Sequence, residues 1–247
     1  MDPLKIIQFT DIHLPENQEL WEGIDVRENF RKCWKAAVSE DVDLVVLSGD
    51  IAAWDGEEGS YLWLKDFLAN ETSTPFLLMS GNHDRVEGIE KIFGTHDNFR
   101  NGMLYGAVEV KGRKLCFLDS TTDSVPSVQL RWLEQELASV TTPIIFFMHH
   151  PPVLTGHKFM DTHHPLQNHQ VVWDSLVKIP CIQDIFVGHY HYDAEIVKDG
   201  KNIYVGPSTK MQIDPSESEF KLLSTSPGWR EIVFDSSGLK TEVKYLD

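Results

Sequence analysis

Residues that can bind metal ions occur in five short clusters along the chain. Each cluster contains aspartate, asparagine or histidine, and each directly follows a short apolar run. The clusters are Asp11-Ile12-His13, Gly49-Asp50, Gly81-Asn82-His83-Asp84, His149-His150 and Gly188-His189-Tyr190-His191. Imidazole nitrogens together with carboxylate and amide oxygens suit iron, manganese, zinc or cobalt, whereas calcium and magnesium favour ligand sets made of oxygen alone. The five clusters therefore predict one site for divalent ions of this kind.

A carboxylate in such a site can join two ions, and Asp50 is the natural candidate for that role. Two ions about 3.5–4 Å apart can bind both the attacking and the leaving oxygen of a phosphoryl group. The residue types therefore indicate phosphoryl chemistry.

The apolar runs before the clusters have the length and composition of β-strands. They span Lys5–Phe9, Leu44–Leu47, Phe76–Met79, Ile144–Met148 and Ile185–Val187, and each is typical of a buried strand. Open α/β sheets bind their ligands beyond the carboxyl ends of the strands. We therefore expect the five clusters to meet at one such edge.

Helices and hairpins are predicted around these strands. Amphipathic stretches predict helices at Arg27–Ser39, Tyr61–Asn70, Val128–Val140 and Gln170–Lys178, and their apolar stripes are typical of core packing. Hairpins are predicted from Leu104–Val110 with Arg113–Leu118, Ala194–Val197 with Asn202–Val205, and Glu231–Phe234 with Leu239–Lys244. Hairpins beside crossover units indicate an α/β protein with mixed sheets.

Composition and charge favour a single globular domain, residues 1–247, that binds a small molecule. Hydrophobic residues make up 41% of the chain, which is enough for a large core. The formal net charge of −16, from 22 basic and 38 acidic residues, repels polyanions and argues against a nucleic-acid partner. A small anion can still bind, because two divalent ions would add four positive charges at the site itself.

The sequence favours a cytoplasmic protein that does not enter a membrane. The N-terminal segment has no basic region ahead of an apolar one, and no apolar run approaches the roughly 20 residues that span a bilayer. Cys33, Cys116 and Cys181 have no regular spacing, so we expect buried thiols rather than a disulfide framework. The sequence leaves the oligomeric state open.

The complete ordered set of clusters resembles the calcineurin-like metallophosphoesterases. The pattern Asp-x-His, Gly-Asp, Gly-Asn-His-Asp, His and Gly-His-x-His is present at every position, so the resemblance covers essentially the whole chain. It implies a four-layer α/β-β/α sandwich of two mixed sheets, the metallophosphoesterase fold, with a two-metal site at one edge between the sheets.

The resemblance also implies a ligand set. One ion would be bound by Asp11, His13, Asp50 and His191, and the other by Asp50, Asn82, His149 and His189. His149 is preferred to His150 because it comes first after its strand. The expected ions are Fe²⁺ and/or Mn²⁺, with Zn²⁺ or Co²⁺ as alternatives.

His83 and Asp84 are the catalytic residues that the resemblance implies. His83 would lie beside the phosphate and stabilise charge or assist the leaving oxygen, and Asp84 would orient it. The attacking group would be a hydroxide that bridges the two ions. Substrate contacts are expected from His13, Asp50, Asn82, His83, His149 and His191.

Residues outside these clusters resemble one bacterial subfamily, the class III 3′,5′-cyclic AMP phosphodiesterases. They are His149-His150-Pro151-Pro152 with Gly156, Asp161, His163, Leu166 and Asn168, then Pro207-Ser208-Thr209, and last Pro227-Gly228-Trp229-Arg230. The implied reaction is hydrolysis of 3′,5′-cyclic AMP to AMP.

Three other functions remain as alternatives. A glycerophosphodiesterase or a phosphodiesterase of broad specificity would use the same metal ligands. A protein phosphatase is disfavoured because Arg85 has no second matching arginine. A binding protein without catalysis is disfavoured because Asn82 and His83 are both present.

A histidine-rich segment, residues 155–169, has two interpretations. His157, His163, His164 and His169 could cover the substrate, since loops at strand ends often carry binding residues, or they could belong to a solvated surface loop. His96 is most simply a surface histidine.

Overall fold

The computed structural model describes residues 2–71, 73–94 and 98–246, so His96 lies outside the described residues. The elements in chain order are β1 Leu4–Phe9, α1 Val26–Ala37, β2 Leu44–Ser48, α2 Glu58–Glu71, β3 Phe76–Met79, α3 Val86–Phe93, β4 Phe99–Arg100, β5 Met103–Leu104, β6 Gly106–Val110, β7 Arg113–Leu118, α4 Ser127–Leu137, β8 Ile144–Met148, α5 Lys158–His163, α6 His169–Val177, β9 Ile182–Val187, β10 Ala194–Lys198, β11 Lys201–Val205, β12 Gln212–Ile213, β13 Leu222–Ser224, β14 Gly228–Asp235 and β15 Gly238–Tyr245.

Two mixed sheets form the centre of the protein. The first has five strands in the order β15-β14-β1-β2-β3, and the second has six in the order β10-β11-β9-β8-β7-β6. Strands β1, β2 and β3 are parallel, as are β7, β8, β9 and β11, whereas β14, β15, β6 and β10 pair antiparallel with their neighbours. The parallel strands bring several carboxyl ends to the same edge.

The alternation of side chains along the second sheet builds two separate cores. Phe117, Phe147 and Phe186 belong to the core that also contains Ile6 and Leu47 of the first sheet. The residues beside them in sequence point to the opposite face. Cys116, Phe146 and Ile185 pack in the second core with Leu133 of α4 and Trp173 of α6. This arrangement confirms the four-layer α/β-β/α sandwich.

The predicted strands and helices are present with changes at their ends, apart from one strand, and the short strands β4, β12 and β13 and two short helices were not predicted. Leu104–Val110 is interrupted at Tyr105, and β5 before the break pairs with β4 instead. The helices α3 and α5 were not predicted, because helices of 8 and 6 residues are too short to show a clear 3.6-residue period.

Two further predictions concern the chain as a whole. Within the described ranges no helix is both long and apolar enough to cross a membrane. Cys33, Cys116 and Cys181 are free and buried, as expected. That residues 1–247 form a single domain stays a prediction.

Candidate metal centre

The five predicted clusters lie directly after β1, β2, β3, β8 and β9. The first three of these strands belong to the first sheet and the last two to the second, so both sheets contribute side chains to one site. Three overlapping groups of acidic and histidine residues have ligand atoms within 4.8 Å of one another. The groups are Asp11, Asp50, His149 and His189; Asp11, His13 and His191; and His13, Asp50 and His83.

One part of the site is built around His13 and His191. Their Nε2 atoms are 3.1 Å apart, and His191 Nε2 lies 3.2 Å from Oδ1 of Asp11. His13 Nε2 is 3.7 Å from Oδ2 of Asp50. Separations of this size are those of atoms that share one ion at the usual metal–ligand distances of about 2.0–2.2 Å.

The other part of the site is built around His149. Its Nε2 atom is 3.4 Å from Oδ1 of Asp50 and 3.9 Å from Oδ1 of Asp11. Asp50 therefore presents one carboxylate oxygen to His149 and the other to His13. A carboxylate placed in this way can serve two ions at once.

Backbone carbonyls fix the orientation of three imidazoles. His149 Nδ1 is 3.0 Å from the carbonyl of Ser48, and His191 Nδ1 is 3.2 Å from that of Met211. His189 uses Nε2 instead, 2.9 Å from the carbonyl of His164. A ring that donates one N–H to a carbonyl leaves the lone pair of its other nitrogen free, as in most metal-binding histidines.

Several buried polar atoms in the site have no hydrogen-bond partner among the described residues. Three of them are Oδ1 of Asp11, Oδ1 of Asn82 and Nε2 of His149. Leaving a buried polar atom unpaired costs about 1–3 kcal/mol, and a divalent ion is a partner that would satisfy all three atoms. The donor set thus fits the two-metal centre of the resemblance.

The backbone of the site is strained at the same positions. Asp11, His13, Asp50, His189 and His191 have positive φ angles of 53°, 50°, 51°, 67° and 50°. Such conformations are uncommon for residues other than glycine and cluster at functional sites. The fold therefore maintains an unfavourable local geometry that aims these side chains at one point.

Two glycines leave the space that the side chains need. A Cβ atom at Gly81 would overlap Oδ1 of Asp50, and one at Gly188 would overlap Thr10 Oγ1 and approach Asp11 Oδ2 to 2.7 Å. Both glycines therefore serve the local geometry.

Burial and charge set the protonation of the site. Burial holds the pKa of His13 and of His189 well below the ordinary value for imidazole, so both are neutral, the form that binds metals. Burial would lower the pKa of His149 too, but Asp50 and Asp11 outweigh it and raise the value to about 9. A metal ion at His149 must therefore displace a proton.

His150 lies beside His149 but has other partners. Its Nδ1 is 2.8 Å from Oγ of Ser120, and its Nε2 is 3.3 Å from Asp123 Oδ1. His150 belongs to none of the three groups of potential ligands. Its ring packs 4.1 Å from that of His189, centroid to centroid, so it supports a residue of the site.

His83 and Asp84 occupy different environments. His83 is half-buried, lines the cleft above the site, and packs its ring against that of His13 at 4.8 Å. Its backbone N–H donates to Oδ1 of Asp50 at 2.9 Å.

The Asp84 carboxylate is fully buried beneath this loop. It accepts hydrogen bonds from the backbone amides of Ile51, Ala52 and Gly81 and from the hydroxyl of Tyr61. Burial, followed by the charge of Asp50, raises the pKa of Asp84 to about 6. No hydrogen bond between described residues joins Asp84 to the His83 ring, so any influence of Asp84 on that ring passes through the loop backbone.

The histidine-rich segment divides between the core and the cleft. His157 is buried, and its Nδ1 accepts the N–H of Met160 at the start of α5. His164 lines the cleft and supplies the carbonyl that orients His189. Asn168, part of the subfamily resemblance, exchanges two hydrogen bonds with the backbone of Val125 and so has a structural role.

The cleft above the site has a volume of about 400 Å³. Its apolar walls include Trp21, Trp54, Phe159 and Phe220. Lys210 also lines it, and the sequence did not single out this lysine or the two tryptophans. A single sequence gives no signal for them, because a lysine and two tryptophans in separate loops form no recognisable motif.

Comparison with known proteins agrees with the site. Residues 4–193 match the family model described as calcineurin-like phosphoesterase. A Fibrobacter succinogenes protein described as a "probable cyclic nucleotide phosphodiesterase" is 40% identical over 98% of this chain and 94% of its own length. The 3′,5′-cyclic adenosine monophosphate phosphodiesterases of Vibrio vulnificus and Escherichia coli are each 28% identical over 98% of this chain and 90% of theirs.

Solved structures agree with the fold. A dimetal phosphatase from Danio rerio superposes with a TM-score of 0.65 at 14% identity, covering 100% of both chains. A purple acid phosphatase from yellow lupin gives a TM-score of 0.69 at 16% identity over 99% of this chain and 52% of its own. At these identities the likeness concerns the fold alone. The family match and the Fibrobacter relative together show that this chain belongs to the calcineurin-like phosphoesterases.

Proposed function

We propose that the protein is a metal-dependent phosphodiesterase that hydrolyses a small phosphodiester, with 3′,5′-cyclic AMP as its substrate and AMP as its product. The observation that carries this proposal is the position of Asp50, whose two carboxylate oxygens face two separate groups of potential ligands, His13 on one side and His149 on the other. One ion would be held by Asp11, His13, Asp50 and His191, and the other by Asp50, Asn82, His149 and His189.

Two divalent ions at these residues would supply a water molecule of lowered pKa and would neutralise the phosphate charge. The protein supplies the remaining functions. The carbonyls of Ser48, Met211 and His164 hold three imidazoles in the orientation that metal binding requires. The residues in the left-handed conformation fix the carboxylates and imidazoles before substrate arrives, so little reorganisation is needed during the reaction.

His83 is the residue that we assign to the leaving oxygen. It lies at the boundary between the buried ligands and the open cleft, where the ester oxygen of a bound diester would be. The hydrogen bond from its backbone N–H to Asp50 fixes its position relative to that carboxylate. An imidazole in this place can donate a proton or stabilise negative charge, which typically contributes about 10²–10⁴-fold to the rate.

The substrate class rests on the cleft and on the relatives. A cleft of about 400 Å³ with aromatic walls suits a molecule of nucleotide size, because bases stack on aromatic side chains. Trp54 is 65% exposed and therefore offers a free face for stacking. The names of the Fibrobacter, Vibrio and Escherichia relatives point to the same class.

A protein phosphatase is less well supported. Arg85, the arginine nearest to the Asn82-His83-Asp84 cluster in sequence, forms an ion pair with Asp55, and its side chain is half exposed. It is not among the residues that line the cleft. A glycerophosphodiesterase or a phosphodiesterase of broad specificity would use the same metal ligands. These alternatives differ from the proposed enzyme only in the substrate that they hydrolyse.

We expect Fe²⁺ and/or Mn²⁺ in the site, because mixed imidazole and carboxylate ligands suit both, with Zn²⁺ or Co²⁺ as substitutes. The free thiols of Cys33, Cys116 and Cys181 fit the reducing cytoplasm that we propose as its compartment.

The decisive experiment compares substrates on protein reloaded with one metal. Purified protein is stripped with chelator, reloaded with Mn²⁺ or Fe²⁺, and incubated with 3′,5′-cyclic AMP, glycerophosphocholine or an aryl diester. Formation of AMP that is abolished by chelator and by Asn82→Ala supports the proposal. If only the aryl diester is hydrolysed, the protein is a phosphodiesterase but cyclic AMP is not its substrate. If none of the three compounds is hydrolysed, the result favours a binding protein without catalysis.

A further inference from the structure

Lys210 is a buried lysine whose ammonium group has no acidic partner in the described residues. The residue is only 7% exposed. The Nζ atom lies 4.2 Å from the centroid of the Trp21 ring and 5.8 Å from that of Trp54, and none of the described residues forms a hydrogen bond or an ion pair with it. An ammonium group held against indole rings keeps its positive charge but leaves its three N–H donors free.

The position of Lys210 is fixed relative to the metal centre. The Ser208 hydroxyl donates to the carbonyl of Asp11 at 2.7 Å and accepts the backbone N–H of Lys210 at 2.8 Å. The next residue, Met211, accepts the hydrogen bond from His191. The lysine is therefore joined through short connections to potential ligands from both sheets.

Among the described residues that line the cleft, Lys210 is the only lysine or arginine. The chain as a whole carries a formal charge of −16, so the general field of the protein repels an anionic substrate. A local cation beside the metal ions offsets that repulsion where the phosphate binds.

We propose that Lys210 is a substrate-binding residue that donates a hydrogen bond to a free oxygen of the phosphate group, in the diester and more strongly in the monoester product. This inference rests on the proposed function, because it places the phosphate at the candidate metal centre. A monoester carries close to two negative charges at neutral pH and a diester only one, so Lys210 should matter more for the product than for the substrate.

The test uses Lys210→Met, which keeps an unbranched apolar stem against Trp21 but removes the charge, and Lys210→Arg, which keeps the charge. Lys198→Met is the matched control, because Lys198 Nζ also lies over an indole ring, 5.4 Å from that of Trp173, and does not line the cleft. Binding of 5′-AMP to the Mn²⁺-loaded proteins is measured by calorimetry, together with metal content and KM for cyclic AMP.

A charge-assisted hydrogen bond predicts that Lys210→Met weakens AMP binding about ten- to a hundredfold. The KM for cyclic AMP should rise by a smaller factor, and the metal content should stay at the wild-type value. Lys210→Arg, which keeps the charge, should bind AMP more tightly than Lys210→Met, and Lys198→Met should bind AMP as tightly as wild type. Wild-type affinity for AMP in Lys210→Met would overturn the inference, since a purely structural lysine predicts that result. If Lys210→Met does not fold, as judged by circular dichroism, Lys210→Gln takes its place.

The two proposals can fail separately. If the wild-type protein binds AMP through Lys210 but hydrolyses no diester, the binding role of Lys210 is supported and the phosphodiesterase activity is rejected. If the protein hydrolyses cyclic AMP but its affinity for AMP does not depend on Lys210, the phosphodiesterase activity is supported and the binding role of Lys210 is rejected.

Discussion

The Nε2 atoms of His13 and His191 lie 3.1 Å apart, although the two residues follow strands of different sheets. His13 comes after β1 in the first sheet, and His191 comes after β9 in the second. Both side chains are about 5% exposed. Two imidazole nitrogens at this separation need either a shared proton or a shared ion, and an ion there would link the edges of the two sheets.

Metal removal should therefore lower the thermal stability of the protein. A ligand at about 1,000 times its dissociation constant stabilises the native state by about 4 kcal/mol. In a protein of this size each kcal/mol shifts Tm by about 2–4 °C, so chelation should lower Tm by roughly 10 °C. Differential scanning calorimetry with and without chelator checks this.

Comparing His191→Ala with the matched control His169→Ala distinguishes the effect of losing a metal ligand from the effect of losing a histidine side chain. His169 begins α6 and is not one of the potential ligands. His191→Ala should lose the ion that it would share with Asp11, His13 and Asp50 and therefore part of the response to chelator, whereas His169→Ala should behave as wild type. A Tm of His191→Ala that still falls by the wild-type amount on chelation would contradict the assignment.

His83→Ala should separate catalysis from metal binding. The half-buried ring borders the cleft, so its loss should lower kcat by about 10²–10⁴-fold and leave the metal content at the wild-type value. Elemental analysis and steady-state kinetics measure the two quantities. Because His83 also forms a group of potential ligands with His13 and Asp50, a fall in metal stoichiometry would make it a ligand instead.

The metal clusters could be predicted because each follows its strand with at most one residue in between. A buried strand is recognisable from a run such as Ile144–Met148, and the parallel arrangement brings the carboxyl ends together. The order of the clusters along the chain then suffices to place Asp11, Asp50 and His149 in one site. The backbone geometry that aims them, such as the φ of 53° at Asp11, cannot be recognised from the residue type, since only a small fraction of aspartates adopt a positive φ.

Contacts between distant loops could not be predicted. Asp84 accepts hydrogen bonds from the amides of Ile51 and Ala52, which precede it by 33 and 32 residues, and nothing in the local sequence shows that its carboxylate faces these amides. The assembly of Trp21, Trp54 and Lys210 likewise joins three separate segments. Neither arrangement leaves a periodic pattern or a motif in the sequence.

Asp84→Asn should act mainly on stability. The amide nitrogen that replaces one carboxylate oxygen must face backbone N–H donors, and each donor left unpaired costs about 1–3 kcal/mol. Urea denaturation should show a loss of about 3 kcal/mol, with weaker metal binding because the Gly81 and Ile51 loops are no longer joined. Tyr61→Phe, which removes one of the same hydrogen bonds, should show a smaller loss. Turnover abolished at unchanged stability and metal content would instead assign Asp84 a direct part in catalysis.

Trp54→Ala should raise KM selectively for substrates that carry a base. Stacking of one base on an aromatic ring is worth about 1–3 kcal/mol, so KM for cyclic AMP should rise by roughly ten- to a hundredfold. Glycerophosphocholine has no aromatic group and serves as the control diester in the same assay. An equal change for both substrates would mean that Trp54 shapes the cleft without stacking.

Product binding should weaken as pH rises through the titration of Lys210. Burial lowers the pKa of this lysine to about 8, and the charges of Asp50 and Glu22 oppose a further fall; His13, which also faces it, is neutral because its own pKa is held low. The ammonium is charged below its pKa and neutral above it. AMP remains dianionic above about pH 7, so its phosphate does not change charge in this range.

The dissociation constant of AMP should therefore increase from pH 7 to pH 9.5 and approach the value of Lys210→Met. Lys210→Arg should keep its affinity over this range, because guanidinium stays protonated. Calorimetric titrations of the three Mn²⁺-loaded proteins measure this. A decline in Lys210→Arg that matches wild type would show that a group other than Lys210 controls the pH dependence.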